Sequence, residues 1–239
     1  MIPIVLSAGR GSRLGEETQN HPKWFLELDN KRLYDYQLDA LSVKFDTVYV
    51  VLGHGFANEK DPGDDIPNRT DINVIPVIYD GWEEVENAGS ALFGLKNLSS
   101  AEDLLLLCGD IVMSKEVLLQ FVTEYEELSD DDCSAVATFE GIQDEKTAVL
   151  WDEERHITDY GAIEGHEEAG MFILNENHID TAKEVWSNNL DDWFPVIFPE
   201  VKSKAIPIGR RGHHEINTMP DLHAVREALA GNPIGQLEE

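Results

Sequence analysis

The sequence predicts an α/β fold: a Rossmann-like, mostly parallel sheet flanked by helices, with a small β lobe. Three observations carry this expectation. The runs "IPIVLSA" (2–8), "TVYVVLG" (47–53) and "DLLLLCGD" (103–110) have the unbroken apolar character of strands covered on two faces. Segments with helical spacing fall between such runs, as in βαβ units. After residue 140 the alternation gives way to hairpin-like patterning.

Taken in order, the run at 2–8 is β-rich, apolar and followed by glycine, which marks a buried strand. A polar loop leads to Pro22, and "KWFLELDN" (23–30) follows it. Leu33, Tyr36, Gln37, Leu38 and Leu41 recur at helical spacings within 33–44, ahead of the second strand at 47–53. Residues 58–71, rich in Pro, Gly and Asp, read as a loop. In "INVIPVIYD" (72–80), Pro76 lacks the N–H that a ladder needs, so this third strand belongs at an edge or a bulge. A helix opens at Asn87 or Ser90, and 103–110 is the fourth strand. Ser114 can cap a helix over 114–128, with Glu116 in its first turn and Val117, Phe121, Val122 and Tyr125 on one face. "CSAVATFE" (133–140) is the fifth strand. Beyond it the pattern predicts a hairpin turning near Glu153 and Glu154, then a strand at "AGMFILN". A helix around 178–188, a late strand at "SKAIPIG" and a helix over 220–230 complete the chain.

The 239 residues carry a formal charge of -29, with 47 acidic side chains against 18 basic ones. The acids are scattered over turns and helix faces, and the stretches between them stay apolar and periodic, so the composition is that of a folded chain. Such a charge repels itself until salt screens it, the Debye length shrinking from about 10 Å at 0.1 M to about 3 Å at 1 M. The expectation is a protein of a salt-adapted cytoplasm, as in a halophilic archaeon. No basic patch outweighs the field, which argues against a nucleic-acid partner. No apolar run approaches the ~18–20 residues that span a membrane, and the N-terminus lacks the basic region of a signal peptide. Cys108 and Cys133 have no metal-type spacing and read as reduced core thiols, again as in a cytoplasmic protein.

Against this acidity, "LSAGRGSRLG" (6–15) stands out: a glycine-broken loop with two arginines directly after the first strand. A Walker A loop would require Gly-Lys-Ser/Thr at its end, which is absent. A dinucleotide fingerprint would require glycine where Leu14 stands, and a helix where "GEETQNHP" is polar and broken. A plain surface turn and a loop whose backbone N–H groups wrap a polyphosphate both remain compatible with the glycines.

"LSAGRGSRL", followed by "PKWFLEL", resembles the nucleotidyltransferase family that includes sugar-phosphate and phosphocholine nucleotidylyltransferases. That family's pattern is L-A-A-G-x-G-x-R-L and then P-K-x-L, with Ser7 and Phe25 as the departures here. The likeness recurs at "LCGD" (107–110) and loosens between 140 and 205. It implies the nucleotide-diphospho-sugar transferase fold across 1–239, with a nucleotide-binding part to about 140, an acceptor-binding part over 141–218 and a C-terminal helix at 219–231. It further implies an enzyme that couples a nucleoside triphosphate to a small phosphorylated acceptor (a sugar, polyol or choline-like phosphate) and releases pyrophosphate, with Mg²⁺ as cofactor.

Carried residue by residue, the resemblance gives catalytic roles to Arg13, on the triphosphate, and Lys23, on the α-phosphate. Arg10 falls at a variable position. Nucleotide contacts fall to Leu6, Ala8, Gly9, Gly11, Asn87, Gly89, Ser90 and Gly109, with helix capping as the bland alternative for Asn87 and Ser90. The metal falls to Asp110 and to Asn217, which stands where the family often has Asp. Asp221 reads as helix N-terminal charge. Glu168 and Gly170 match a segment that edges the acceptor pocket. Lys146, Arg155, Lys204, Arg210 and Arg211 are the cations within reach of that region, and Trp151, Tyr160, Trp186 and Trp193 could cage a quaternary ammonium. Two other functions stay open at this point. One is a related glycosyltransferase, though "GDIV" lacks the second Asp of its usual metal pair. The other is a nucleotide-sensing module without catalysis.

Overall fold

The computed structural model describes residues 1–57, 65–98, 102–128, 132–144 and 147–231; Lys146 and the first half of the predicted 58–71 loop lie outside them. The strands are β1 (Ile2–Ser7), β2 (Glu27–Leu28), β3 (Lys31–Arg32), β4 (Thr47–Leu52), β5 (Asn73–Ile78), β6 (Leu104–Cys108), β7 (Ile111–Met113), β8 (Ser134–Asp144), β9 (Ala148–Trp151), β10 (Ile157–Gly161), β11 (Glu164–Leu174), β12 (Ser203–Pro207) and β13 (His213–Glu215). The helices are α1 (Leu33–Leu41), α2 (Asn87–Lys96), α3 (Lys115–Glu126), α4 (Ile179–Asn188) and α5 (Met219–Gly231).

Among the described residues, the main sheet runs β5-β4-β1-β6-β11-β8-β12, with β9 and β10 attached alongside β11. β5, β4, β1 and β6 are parallel, and β12 is parallel to β8. β11 runs antiparallel to its neighbours β6 and β8 and is the one reversed strand of that row. The sheet is thus mostly parallel, as the apolar runs predict. Pro76 sits on β5, which is an edge strand as expected.

Strand alternation divides the core into two layers. Val5, Leu105 and Leu107 face α1, α3 and α5, while Ile4, Leu104 and Leu106 face α2, α4 and the 3-10 stretch Phe194–Glu200. The predicted face of α3 is buried, and the Ser114 hydroxyl accepts the Val117 N–H at 3.4 Å, as an N-cap does. α1 ends three residues short of the sequence reading. The predicted hairpin forms between β9 and β10; Arg155 adopts φ 64 in its turn while Asp152 accepts the N–H groups of Glu154 and His156 at 2.9 Å each. β8 and β11 run longer than their apolar cores because their polar halves pair with each other and with β9 to make the β lobe. The short pairings β2–β3 and β7–β13 carry no periodicity and are not readable from the chain.

His213, the first residue of β13, is buried with Nε2 on the Ala169 carbonyl at 2.8 Å, and that burial pushes its imidazole down to about 4. The unfolded chain takes up that proton near the ordinary 6.5. Its contribution to stability is therefore full above pH 6.5 and is lost as pH falls toward 4. Urea unfolding of the wild type and His213→Gln should show the wild type losing up to about 3 kcal/mol more than the variant between pH 7 and pH 4. A difference independent of pH would contradict this account.

Candidate functional site

Three chain segments meet at the carboxyl ends of β1 and β6. Leu6 and Cys108 are paired in the parallel register, so the loop leaving β1 begins beside the Gly109–Asp110 turn that joins β6 to β7. The Gly109 N–H donates to the Leu6 carbonyl at 2.9 Å, and a Cβ on Gly109 would stand 2.6 Å from that of Ser7, which explains the glycine. β13 pairs with β7 and the Ile216 N–H donates to the Asp110 carbonyl at 2.9 Å, which delivers Asn217 to the same point. Asp221 fixes the turn into α5 by accepting the N–H groups of Asn217 (3.0 Å) and Thr218 (2.7 Å) in the helix's first turn.

The Lys23 ammonium donates to Asp110 Oδ2 at 2.8 Å and to Asn217 Oδ1 at 2.7 Å. Arg13 Nη2 donates to the same Asn217 oxygen at 3.3 Å. Four residues separated by up to 204 positions therefore share one cluster, and all four are ones the sequence singles out. The loop that bears Arg13 is held by its own chemistry. Buried Leu14 anchors it, its N–H bonded to the Gly11 carbonyl, which also accepts the Thr18 hydroxyl at 3.0 Å. A short 3-10 segment, Ser12–Thr18, breaks at Gly15. Leu6 and Ala8 are buried, and the Ala8 carbonyl accepts the His54 N–H, tying the loop's root to the end of β4.

A second ring of carboxyls borders the cluster. Glu215 Oε1 accepts from Asn217 Nδ2, and burial, with Asp110 nearby, pushes the Glu215 carboxyl up to about 7. Burial raises Glu168 as well, Glu215 and Asp110 adding to it, and its Oε2 is buried with no hydrogen-bond partner among the described residues. Glu168 reaches this place through an irregularity in β11, where Gly170 adopts φ 64; a Cβ there would lie 2.7 Å from Ile111 Cγ2. Gly170 thus serves the close packing of β11 on the Asp110 turn.

Other predicted residues lie apart from this cluster. Asn87 begins α2, but neither it nor Ser90 caps the helix. The N-cap is Glu86, and the Asn87 Oδ1 instead accepts the Phe194 N–H at 2.7 Å. Gly89 packs where a Cβ would meet Val85 at 2.3 Å, and Ser90 is buried. Arg210 pairs with Glu167 and lies over the Phe139 ring, and Arg155 pairs with Glu140 at 3.2 Å. The four-aromatic cage does not form: Trp186 is fully buried with its indole N–H on the Phe194 carbonyl, and Trp151 stacks on His166. Glu215, which a strand spacing of two puts on the same side as Asn217, does border the cluster. The participant that the sequence reading misses is Gln37, legible only as a polar side chain on the apolar face of α1.

The donor chemistry suits a hard cation. Asp110 and Asn217 aim oxygens at one point, now held by the Lys23 ammonium, and Mg²⁺ takes one or two protein oxygens together with phosphate and water. Among the described residues no group of three or more His, Cys, Asp or Glu is arranged to hold a metal unaided.

The family described as MobA-like NTP transferase domain matches residues 3–188. A CTP:phosphoglutamine cytidylyltransferase of Campylobacter jejuni is 33% identical over 132 residues, 54% of this chain and 51% of that protein; the chain thus spans about half the length of that curated relative. Among solved structures, an inositol-1-phosphate CTP transferase from T. maritima superposes with TM-score 0.76 at 24% identity, covering 95% of this chain and 94% of that one. A CTP:phosphocholine cytidylyltransferase from Streptococcus pneumoniae gives 0.69 at 16%, covering 95% and 98%. These likenesses establish the fold.

The two loop glycines should behave differently on substitution. Gly11 adopts φ 65, and a Cβ there would lie 2.7 Å from Lys23 Cγ, whereas a Cβ on Gly9 meets nothing within 4 Å. Gly11→Ala is expected to cost ~1–3 kcal/mol of stability, and Gly9→Ala less than ~0.5 kcal/mol. Urea denaturation of the two variants checks the contrast, and equal costs would refute it.

Proposed function

The chain belongs to the MobA-like NTP transferase domain family, and from that premise we propose that it transfers a nucleotidyl group, from CTP, to a small phosphorylated acceptor. The observation that carries the reading is the convergence of Arg13 and Lys23 on Asn217 beside Asp110. The relatives named as CTP-dependent transferases favour cytosine as the base and a phosphorylated small molecule as the acceptor.

In this reaction an oxygen of the acceptor phosphate attacks the α-phosphorus of the triphosphate. The new P–O bond forms as the α–β bridging bond breaks, and pyrophosphate leaves with the electron pair. No protein atom becomes covalently attached, so the residues act by position and charge. Lys23 holds the α-phosphate and the incoming oxygen, and Arg13 steadies the charge that grows on pyrophosphate. To do so, Lys23 exchanges its bonds to Asp110 and Asn217 for phosphate oxygens. Leu6, Ala8, Gly9, Gly11 and Gly109 let backbone approach the nucleotide, and the segment of Asn87, Gly89 and Ser90 borders its base. Glu168 faces the acceptor, with Gly170 setting its position. Asp110 and Asn217 would hold Mg²⁺, which supplies charge neutralisation on the phosphates.

The setting we infer is a cytoplasm rich in salt, as in a halophilic archaeon. The support is the net charge of -29 on a chain with an ordered two-layer core. Among the described residues, no helix is long and apolar enough to cross a membrane.

Pyrophosphate release measured over a panel of nucleoside triphosphates and acceptor phosphates tests the activity, and silence across the panel refutes it. Lys23→Ala and Arg13→Ala are each expected to cost at least ~100-fold in kcat/KM, as loss of a preorganised charge stabiliser does. Near-wild-type turnover in either variant removes its assigned role. In a thermal series, Tm should climb as KCl rises from ~0.1 M toward ~1 M, over which the Debye length shortens about threefold; a flat series counts against salt adaptation.

A further inference from the structure

The Lys23 segment and the Asp110 turn are joined a second time, inside the core. Gln37, in the middle of α1, has 0% exposure within the apolar core. Its Oε1 accepts the indole N–H of Trp24 at 2.9 Å. Its Nε2 donates to the carbonyls of Cys108 at 2.9 Å and Ile111 at 2.8 Å. The amide orientation is fixed by its partners, because an indole N–H only donates and backbone carbonyls only accept. Trp24 directly follows Lys23, and Cys108 and Ile111 bracket Gly109 and Asp110. One buried carboxamide therefore bonds to the neighbours of both charged groups.

We propose that Gln37 is a positioning residue for nucleotidyl transfer, setting the spacing between the Lys23 ammonium and the Asp110 carboxylate. This rests on the roles given above to those two residues. Burying a carboxamide is costly unless its groups are bonded, and here two donors and an acceptor are all engaged. An apolar side chain would fill the same space in the core without linking the two loops. It would also leave the Trp24 indole N–H and two carbonyls without this partner. Displacement of a reacting group by about 1 Å can cost ~100-fold in rate, so a link of this kind is read in catalysis as well as in stability.

The test compares the wild type with Gln37→Met, of similar volume, and with Trp24→Phe, which removes the bond to Oε1 together with part of the buried indole's packing. Two readouts are used on each full-length protein. The first is steady-state pyrophosphate release with CTP and phosphocholine or the best acceptor of the panel. The second is the rate of amine labelling at Lys23, followed by peptide mass spectrometry, with exposed Lys31 as internal reference. Lys23's side chain is 12% exposed and Lys31's 49%. In Gln37→Met, kcat should fall ~10–100-fold with the acceptor KM within about twofold, the mark of lost geometry at the reacting centre. Lys23 labelling should rise several-fold relative to Lys31. Trp24→Phe should move both readouts the same way and by less. If Gln37→Met lowers Tm but leaves kcat and Lys23 labelling unchanged, Gln37 only satisfies the core and the proposal fails. Should Gln37→Met not fold, unchanged kcat and labelling in Trp24→Phe overturn it equally. A wild type that transfers nothing, with Lys23 labelling still rising in the variants, sinks the nucleotidyltransferase reading and leaves the mechanical link standing.

Discussion

A single ammonium group organises this end of the molecule. Lys23 bonds to both Asp110 and Asn217, and Arg13 donates to the same Asn217 oxygen, so segments from the start, middle and end of the chain share one cation. Glu215 and Glu168 border the cluster, pushed toward protonation first by burial and then by neighbouring carboxylates, Asp110 acting on both. Together these groups store unmet electrostatic demand on each side. The cations prefer oxygen partners with more negative charge than an amide can offer, and the carboxyls prefer more positive charge than one lysine supplies. A polyphosphate accompanied by a divalent cation answers the two demands at once. On the proposed function, the resting contacts are stand-ins for those a bound nucleotide would make.

Much of this was readable from the chain, for identifiable reasons. β1, β4 and β6 announce themselves because strands covered on two faces must be apolar throughout, and the α3 face because one helix side must be buried. Arg13, Lys23, Asp110 and Asn217 were legible because the motifs on which they sit have few other uses. What escaped is long-range or non-periodic. The β7–β13 pairing is three residues long on each side and depends on where α5 docks. The fate of Asn87 depended on a partner 107 positions away, and no local rule distinguishes a cap from a bond to Phe194. Trp186 and Trp151 failed as cage walls for the same reason: tertiary packing assigned one to the core and the other to a stack on His166. The sequence marked Gln37 only as one of five positions at helical spacing, which is how a buried polar link looks from one dimension.

The charge distribution follows from the same division of labour. Acidic side chains fill turns and helix faces, and several cations are consumed in holding the surface together. Arg226 makes a two-pronged contact with Glu17 at 3.1 and 2.9 Å and also donates to the Glu27 carbonyl, strapping α5 across the base of the glycine loop. Arg69 likewise binds Asp39 and Asp71. With so many cations committed to carboxylates, the pair at the mouth of β1 is distinguished by sharing a neutral acceptor, the Asn217 oxygen.

The reversed strand β11 has a wider bearing. In a fully parallel sheet every residue at the rim of the crevice arrives on a loop, and loops accept insertions readily. Here Glu168 arrives on a strand, paired with Thr138 of β8 between two register shifts, and the β6 pairing follows it along the chain. That half of the rim inherits the stiffness of the sheet, and changing what it faces means exchanging side chains one at a time. In evolutionary terms, the loop-built half can be remodelled by lengthening, whereas the strand-built half can diversify only by point substitution. A lineage built on this plan would therefore keep its backbone there while the side chains that line it change.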